Sequence, residues 1–311
     1  MIDVRENAGK TVREIFPLNG VKPMNKQLNA LFSVLIRALT ALTVMVLAFV
    51  IYFIVKEALP TFDEVAVPDF LLGQRWMPIA YTGEPSFGIF NFIAATLYVS
   101  LVAMVLAVTV GLGAAIYLSC VATERMRGIL YPFVDLLAGI PSVIYGFMGL
   151  TLMVKLFIRA GVHTGSCVLA AGILLAVMLL PFLISSCSET MLKVRKRYQP
   201  AADVLGISKW HMVATIVLPG SWKNILLSTI LAIGRAMGET MAVMMVIGNA
   251  NLFPSLLGKS ESIASVIALE MGTAVVGSTH YHALYAAGLV LMLLLFLINS
   301  VITLLRGRLE Q

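Results

Sequence analysis

The chain has 311 residues, of which 59% are hydrophobic and 12% charged. Soluble domains carry about 45–50% apolar and about 25% charged residues, and disordered chains are poorer still in apolar residues, so both classes are excluded. The net charge of +6 comes from 22 Lys and Arg against 16 Asp and Glu; in so apolar a chain the surplus reads as a membrane-topology signal rather than a nucleic-acid surface.

A helix that crosses a bilayer needs about 20 mostly apolar residues. Six runs qualify, near 30–56, 90–119, 129–154, 166–188, 222–248 and 281–305. Residues 1–28 are polar, with Pro17 and Pro23 and no short apolar stretch closed by a cleavage site. We therefore expect a cytoplasmic N-terminal segment without a cleaved signal, and a first span at 29–57 that inserts by itself. The segment 58–87 holds Pro60, Pro68, Pro78 and Pro85, which predicts an extended, ordered outer loop and no helix. Residues 88–306 would form the body of the molecule. Gly111-Leu112-Gly113, in an uncharged run, reads as a helix-packing site. Arg37 in the first span and Asp135 in the third each lie about six or seven residues from the inner end, roughly 9–11 Å deep, and we expect them to pair.

The segment 189–221 is the longest one expected on the inner side. Lys193, Arg195, Lys196 and Arg197 sit among good helix formers. Pro200 can open a new helix, Gly206 can stop it, and Ser208 can cap another through Trp210, Met212 and Val213. Leu218-Pro219 should end that helix before the fifth span. The prediction is helix, sharp turn, helix, with Val204, Leu205, Ile207 and Trp210 in need of a covering partner.

The fifth run contains Arg235 and Glu239. A charge at the centre of a crossing helix costs about 2.5–3.5 kcal/mol on insertion scales, so it is normally retained for a partner or a pathway. Counted from Lys223, Arg235 is roughly 18 Å deep, and Glu239 should follow one turn later on the same face. Gly234 and Gly238 form a step of small residues that lets another helix approach. Two readings stand. The pair neutralises itself, or Arg235 offers its planar fork to a tetrahedral oxyanion. In the second reading Glu239 accepts the O–H of monohydrogen phosphate, which sulfate lacks, and so repels the wrong anion. Beyond it, Ile263, Val266, Ile267 and Met271 recur at helical spacing behind Ser262, which predicts a short helix in the outer loop 250–280. The last span leads to a cytoplasmic tail at 307–311.

Lys and Arg fix the orientation. Arg5, Lys10, Arg13, Lys22, Lys26, Arg125, Arg127, Lys193, Arg195, Lys196, Arg197, Lys209, Lys223, Arg306 and Arg308 fall on one side, 15 in all. Lys56, Arg75, Lys155, Arg159 and Lys259, 5 residues, fall on the other. Both termini are then expected in the cytoplasm. Cys120, Cys167 and Cys187 lie in or beside apolar runs without Cys-x-x-Cys spacing, so buried thiols are expected. His163, His211, His280 and His282 form no metal motif. No G-x-x-x-x-G-K-[ST] occurs, so an ATP-driven version of this chain would borrow its motor.

Ala201, Ala202, Gly206, Leu218 and Pro219 resemble the Glu-Ala-Ala-x-x-x-Gly…Leu-Pro signature loop of bacterial ABC importer permeases, with Pro200 where the family has Glu. Gly234-Arg235-Ala236-Met237-Gly238-Glu239-Thr240 closely resembles the fifth-span run of phosphate-specific ABC permeases. Its continuation, Met241-Ala242-Val243, is similar to the C-type of their two paired subunits, and Ala138–Gly146 resembles the same family. The resemblance implies an all-α integral membrane protein with six transmembrane helices and type I ABC importer permease architecture, in the inner membrane. It implies a substrate path past Arg235, Glu239 and Thr240, and an ATPase-coupling loop around Ala201, Ala202, Asp203, Gly206, Leu218 and Pro219. The implied partners are a homologous second permease, two ATPase subunits that carry ATP and Mg, an external phosphate-binding protein, phosphate ion and membrane lipid. No nucleic acid, cofactor or metal is implied for this chain, and no bond is made or broken in it. The rivals are a permease for another oxyanion, such as sulfate or molybdate, and a secondary transporter or channel without an ATPase.

Overall fold

The structure, a computed structural model, describes residues 26–79 and 84–308. Most of the expected N-terminal segment, 1–25, and positions 309–311 of the expected tail lie outside the described residues. The chain divides into two compact units, one ending at Phe53 and the other starting at Ile54. The first unit is described by helix α1 (Lys26–Ala58), which continues into the second. Leu31, Phe32, Leu39, Val44, Leu47 and Tyr52 are all exposed on it and point in different directions at about 100° per residue, so α1 is apolar around its circumference. Thr40 and Thr43 return their hydroxyls to the Ile36 and Leu39 carbonyls, which leaves neither hydroxyl unsatisfied in an apolar surrounding.

In the second unit, the segment expected as an extended loop contains two short helices, α2 (Thr61–Glu64) and α3 (Val67–Leu72), and a two-stranded antiparallel ribbon, β1 (Trp76–Met77) with β2 (Ser86–Phe87). The prolines start helices here instead of excluding them. Pro60 is the N-cap of α2 and Pro68 lies in the first turn of α3, where a missing N–H costs nothing.

Among the described residues, six helical runs are long and apolar enough to cross a membrane: Ala30–Glu64, Phe90–Val121, Ser142–Arg159, Val168–Val204, Lys209–Met237 and Thr279–Val301. The second is α4 (Phe90–Ile116) closed by a π-helical turn at Tyr117–Val121. The third expected run is cut at Gly139-Ile140-Pro141. Helix α5 (Glu124–Gly139) precedes the cut and buries none of its residues. The crossing run begins after it, with α6 (Ser142–Met148), a π turn at Gly149–Met153 and α7 (Val154–Arg159). Pro141 disfavours helical backbone at Ile140, which is extended with ψ 125°. Asp135 is therefore on α5, outside the crossing run Ser142–Arg159, so the depth counted for it in a continuous third span does not apply.

Helix α8 (Val168–Val204) has 37 residues and runs through both Pro181 and Pro200. No new helix starts at Pro200. At about 1.5 Å per residue α8 is roughly 55 Å long against a hydrocarbon core of about 30 Å, so it is far longer than one crossing requires. Its N-terminal half packs on α4 through Val99, Ala103, Ala107, Ala171, Leu175 and Leu179. A Cβ on Gly172 would sit 2.6 Å from Val102 Cγ1, so this glycine is what lets the two helices touch. Gly111 lies against Leu183 as expected of a packing site, whereas Gly113 faces open space. The three thiols are buried and unpaired.

A second core joins Phe70, Trp76, Phe87 and Phe92 to Ile263, Val266 and Leu284. Its helix α12 (Ile263–Glu270) is capped by Ser262, whose hydroxyl accepts the Ser265 N–H at 3.2 Å. Glu270 at its end accepts the Trp76 indole N–H at 2.9 Å and lies 2.8 Å from His280 Nε2, at the start of α13 (Thr279–Arg308).

Candidate functional site

The fifth expected run is also divided. Helix α10 (Leu218–Met237) ends at Gly238, whose N–H reaches the Gly234 carbonyl at 3.2 Å. A second helix, α11 (Met241–Ile247), begins three residues later. Glu239 stands in the break. Its Oε1 accepts the Ala242 N–H at 3.1 Å and so caps α11. Thr240 turns its hydroxyl to the Gly238 carbonyl at 3.3 Å. Arg235 is exposed in the last turn of α10, where the carbonyl end of the helix favours a cation. The two charges were expected on one face of a continuous helix. The helix stops between them, and among the described residues they form no ion pair. Irregular backbone at membrane depth is tolerated where it is buried in protein or lines a path, and helices broken at midplane recur at transport sites.

Tyr145 belongs to this region. Its hydroxyl donates to the Leu137 carbonyl at 2.9 Å, and the residue is buried in the same cluster as Ala236 of α10 and Ala242 of α11. In the sequence it is only part of the family-like run Ala138–Gly146 and has no role assigned, since a tyrosine in an apolar run carries no signal of what it faces. The same holds for Gly146. A Cβ there would meet Met245 Sδ at 2.6 Å, Ala242 Cα at 3.1 Å and the Met241 carbonyl at 3.2 Å. Gly149 is similarly tight against Leu174 and Val246, each at 2.7 Å. These two glycines bring α6 and its π turn against α11. Gly234, by contrast, has nothing within 4 Å, and a Cβ on Gly238 would meet carbonyls of its own helix, so that step packs on no other helix among the described residues.

The turn after α8 is built by the residues that predicted it. Gly206 is left-handed at φ +65°, the Ile207 N–H bonds the Ala202 carbonyl at 3.0 Å, and the Gly206 N–H bonds the Asp203 carbonyl at 3.3 Å. This pair of bonds is a Schellman closure, and Ile207 and Ala202 share an apolar cluster, as that closure favours. Ala201 and Asp203 are exposed and Ala202 is buried. Helix α9 (Lys209–Met212) follows Ser208, whose hydroxyl makes no capping bond. A π turn at Val213–Val217 then leads directly into α10. Leu218-Pro219 thus lies within one continuous helical run, Lys209–Met237, directly after the π turn, instead of ending a helix. Val204, Leu205 and Trp210 stand out from the turn at 88%, 73% and 65% exposure. Arg37 is exposed on α1 in the first unit, and Asp135 is exposed on α5 in the second.

Residues 107–311 match the family described as binding-protein-dependent transport system inner membrane component. The chain belongs to that family. This permease is 30% identical to the probable ABC transporter permease protein YqgH of Bacillus subtilis, over 99% of both chains. It is 35% identical to the phosphate transport system permease protein PstC of Xylella fastidiosa over 78% of this chain and 79% of that protein. It is 31% identical to PstC of Haemophilus influenzae over 94% of each. Its fold is that of solved ABC importer permeases. An inward-facing structure of the MetNI methionine transporter matches with a TM-score of 0.56 at 18% identity, covering 71% of this chain and 95% of that one. A bacterial importer of alginate matches with a TM-score of 0.54 at 15% identity, covering 91% and 100%.

Proposed function

We propose that this permease forms half of the translocation path of an ATP-driven importer of inorganic phosphate. The observation that carries the reading is the helix break at Gly238–Thr240, which exposes Arg235 unpaired with Glu239. The guanidinium fork matches two oxygens of a tetrahedral oxyanion. Glu239, held by the Ala242 N–H, keeps further lone pairs that can accept a phosphate O–H. The similarity to phosphate transport system permeases supports the choice of anion. Thr240 adds a hydroxyl to the same path.

The chain would work with a homologous second permease, and the open surface at Gly234 and Gly238 suits its close approach. Val204, Leu205 and Trp210 would dock on one of two ATPase subunits, which carry ATP and Mg; this chain carries no cofactor. A phosphate-binding protein would deliver the anion from outside, and α1 would face lipid. The charge bias supports a reading in which both termini and the turn at Gly206 lie on the cytoplasmic side of the inner membrane. Arg37 and Asp135 would pair in the assembled membrane protein. Closure of the motors on ATP would move the turns and switch access to the site between the two sides.

The test is uptake by the reconstituted complex. ATP-dependent uptake of labelled phosphate that excess sulfate does not inhibit is expected. Equal inhibition by sulfate or molybdate would overturn the choice of anion, and purification without an ATPase would favour a secondary transporter. A cysteine at 258 should be labelled from outside and one at 203 should not.

A further inference from the structure

Arg195, Gln199 and Asp203 lie at four-residue intervals on one face of α8. Arg195 Nη1 donates to the Ser119 carbonyl at 2.8 Å, and its Nε donates to Gln199 Oε1 at 3.1 Å. Gln199 Nε2 then donates to Asp203 Oδ1 at 2.7 Å. At one end of this ladder, Ser119 is fully buried in the π turn that closes α4, where the last carbonyls have no donor within the helix. At the other end, the Asp203 carbonyl accepts the Gly206 N–H in the turn itself. The bonds therefore run without a gap from the end of α4 to the turn.

The middle of the ladder spans Pro200. A proline in a helix interior removes one backbone bond, here to the Lys196 carbonyl, and its ring strains the preceding turn. A force applied at the turn would bend α8 at that point before it reached the membrane. The Arg195–Gln199 side-chain bond spans the weakened turn from Lys196 to Pro200, and the Gln199–Asp203 bond carries the ladder past the proline. Arg195 suits the first position because its fork aims two donors at two separate acceptors, which a lysine cannot do equally well.

We propose that Arg195, through Gln199 and Asp203, is a positioning residue that splints α8 across Pro200 and ties the turn to the end of α4, so that motion of the turn reaches the crossing helices. The inference rests on the coupling role proposed above for that turn.

The test uses the intact complex in proteoliposomes with inorganic phosphate as cargo, and reads phosphate moved per ATP hydrolysed. Arg195→Leu and Gln199→Leu should each lower this ratio about tenfold while hydrolysis per assembled complex stays within about twofold. Arg195→Lys should fall between them and the parent. Pro200→Ala returns an N–H to the Lys196 carbonyl, so adding it to Gln199→Leu should recover most of the ratio. If Arg195→Leu fails to assemble, Gln199→Leu decides, because it leaves the bond to Ser119 in place. An unchanged ratio, with uptake and hydrolysis falling together, would overturn the splint, as would no recovery with Pro200→Ala. Gly206→Asp separates the two levels of the argument. A normal ratio in that variant sinks the coupling role of the turn. A lowered ratio there beside a normal one in Gln199→Leu sinks the splint alone.

Discussion

Glu239 caps α11 through the Ala242 N–H at 3.1 Å, while Arg235, one turn earlier, is exposed at the end of α10 and forms no ion pair with it. The two charges are thus held by separate helix ends. A self-neutralising pair would make the double substitution milder than either single one. We expect the opposite. Arg235→Gln should abolish phosphate uptake, Glu239→Gln should weaken discrimination against sulfate, and Arg235→Gln/Glu239→Gln should remain inactive while still inserting. Near-normal uptake by the double variant would return the pair to a purely structural role.

Gly206 adopts φ +65° with open space where a side chain would go. Gly206→Asp therefore costs about 1–2 kcal/mol of backbone strain at most and leaves the chain able to insert. It adds a charge beside Val204, Leu205 and Trp210, whose proposed partner is apolar-facing. ATPase activity measured with and without phosphate-loaded binding protein should lose its stimulation. Full stimulation would argue against docking at this turn.

Gly146 is in contact range of the α11 backbone. Gly146→Val should push α11 away and destabilise the chain by about 1–3 kcal/mol, with the Glu239 cap displaced along with it. Gly234→Ala, which meets nothing within 4 Å inside α10, should leave the isolated chain's thermal midpoint unchanged or slightly raised, because alanine favours a helix over glycine by about 0.5–1 kcal/mol. Equal effects on stability from the two substitutions would refute this ranking.

Burial next to the Glu270 carboxylate pushes Glu261 up from the ordinary carboxylate range to about 7. The folded state favours the neutral acid, so its stabilising contribution is complete at acidic pH and is lost as the pH rises through about 7. Glu261→Gln stays neutral throughout. It should raise the unfolding midpoint in detergent by several degrees at mildly alkaline pH and leave it near the parent value in acid. A shift of the same size at both pH values would show that charge is not the cause.

Arg37→Ala and Asp135→Ala test the remaining pair. If the two side chains meet in the assembled complex, a double-mutant cycle on transport should show coupling of about 0.5–3 kcal/mol. Strict additivity would remove the pair.

Hydropathy and turn chemistry are local properties, and they were enough for the number of crossing runs among the described residues, the Ser262 cap and the Gly206 closure, but not for the bounds of the third and fifth runs. They also singled out Arg235 and Glu239, because a charge in an apolar run is visible without neighbours. Tertiary structure decided where helices break and where they do not. The run through Pro200 coincides with bonds from Arg195 to Ser119, 76 residues away, and from Gln199 to Asp203. The break at Gly238 leaves α11 free to lie on Gly146, and no local pattern announces that contact. Small residues looked alike along the chain; only the packing of α6 on α11 and of α4 on α8 shows that Gly146, Gly149 and Gly172 admit a neighbouring helix while Gly234 faces open space.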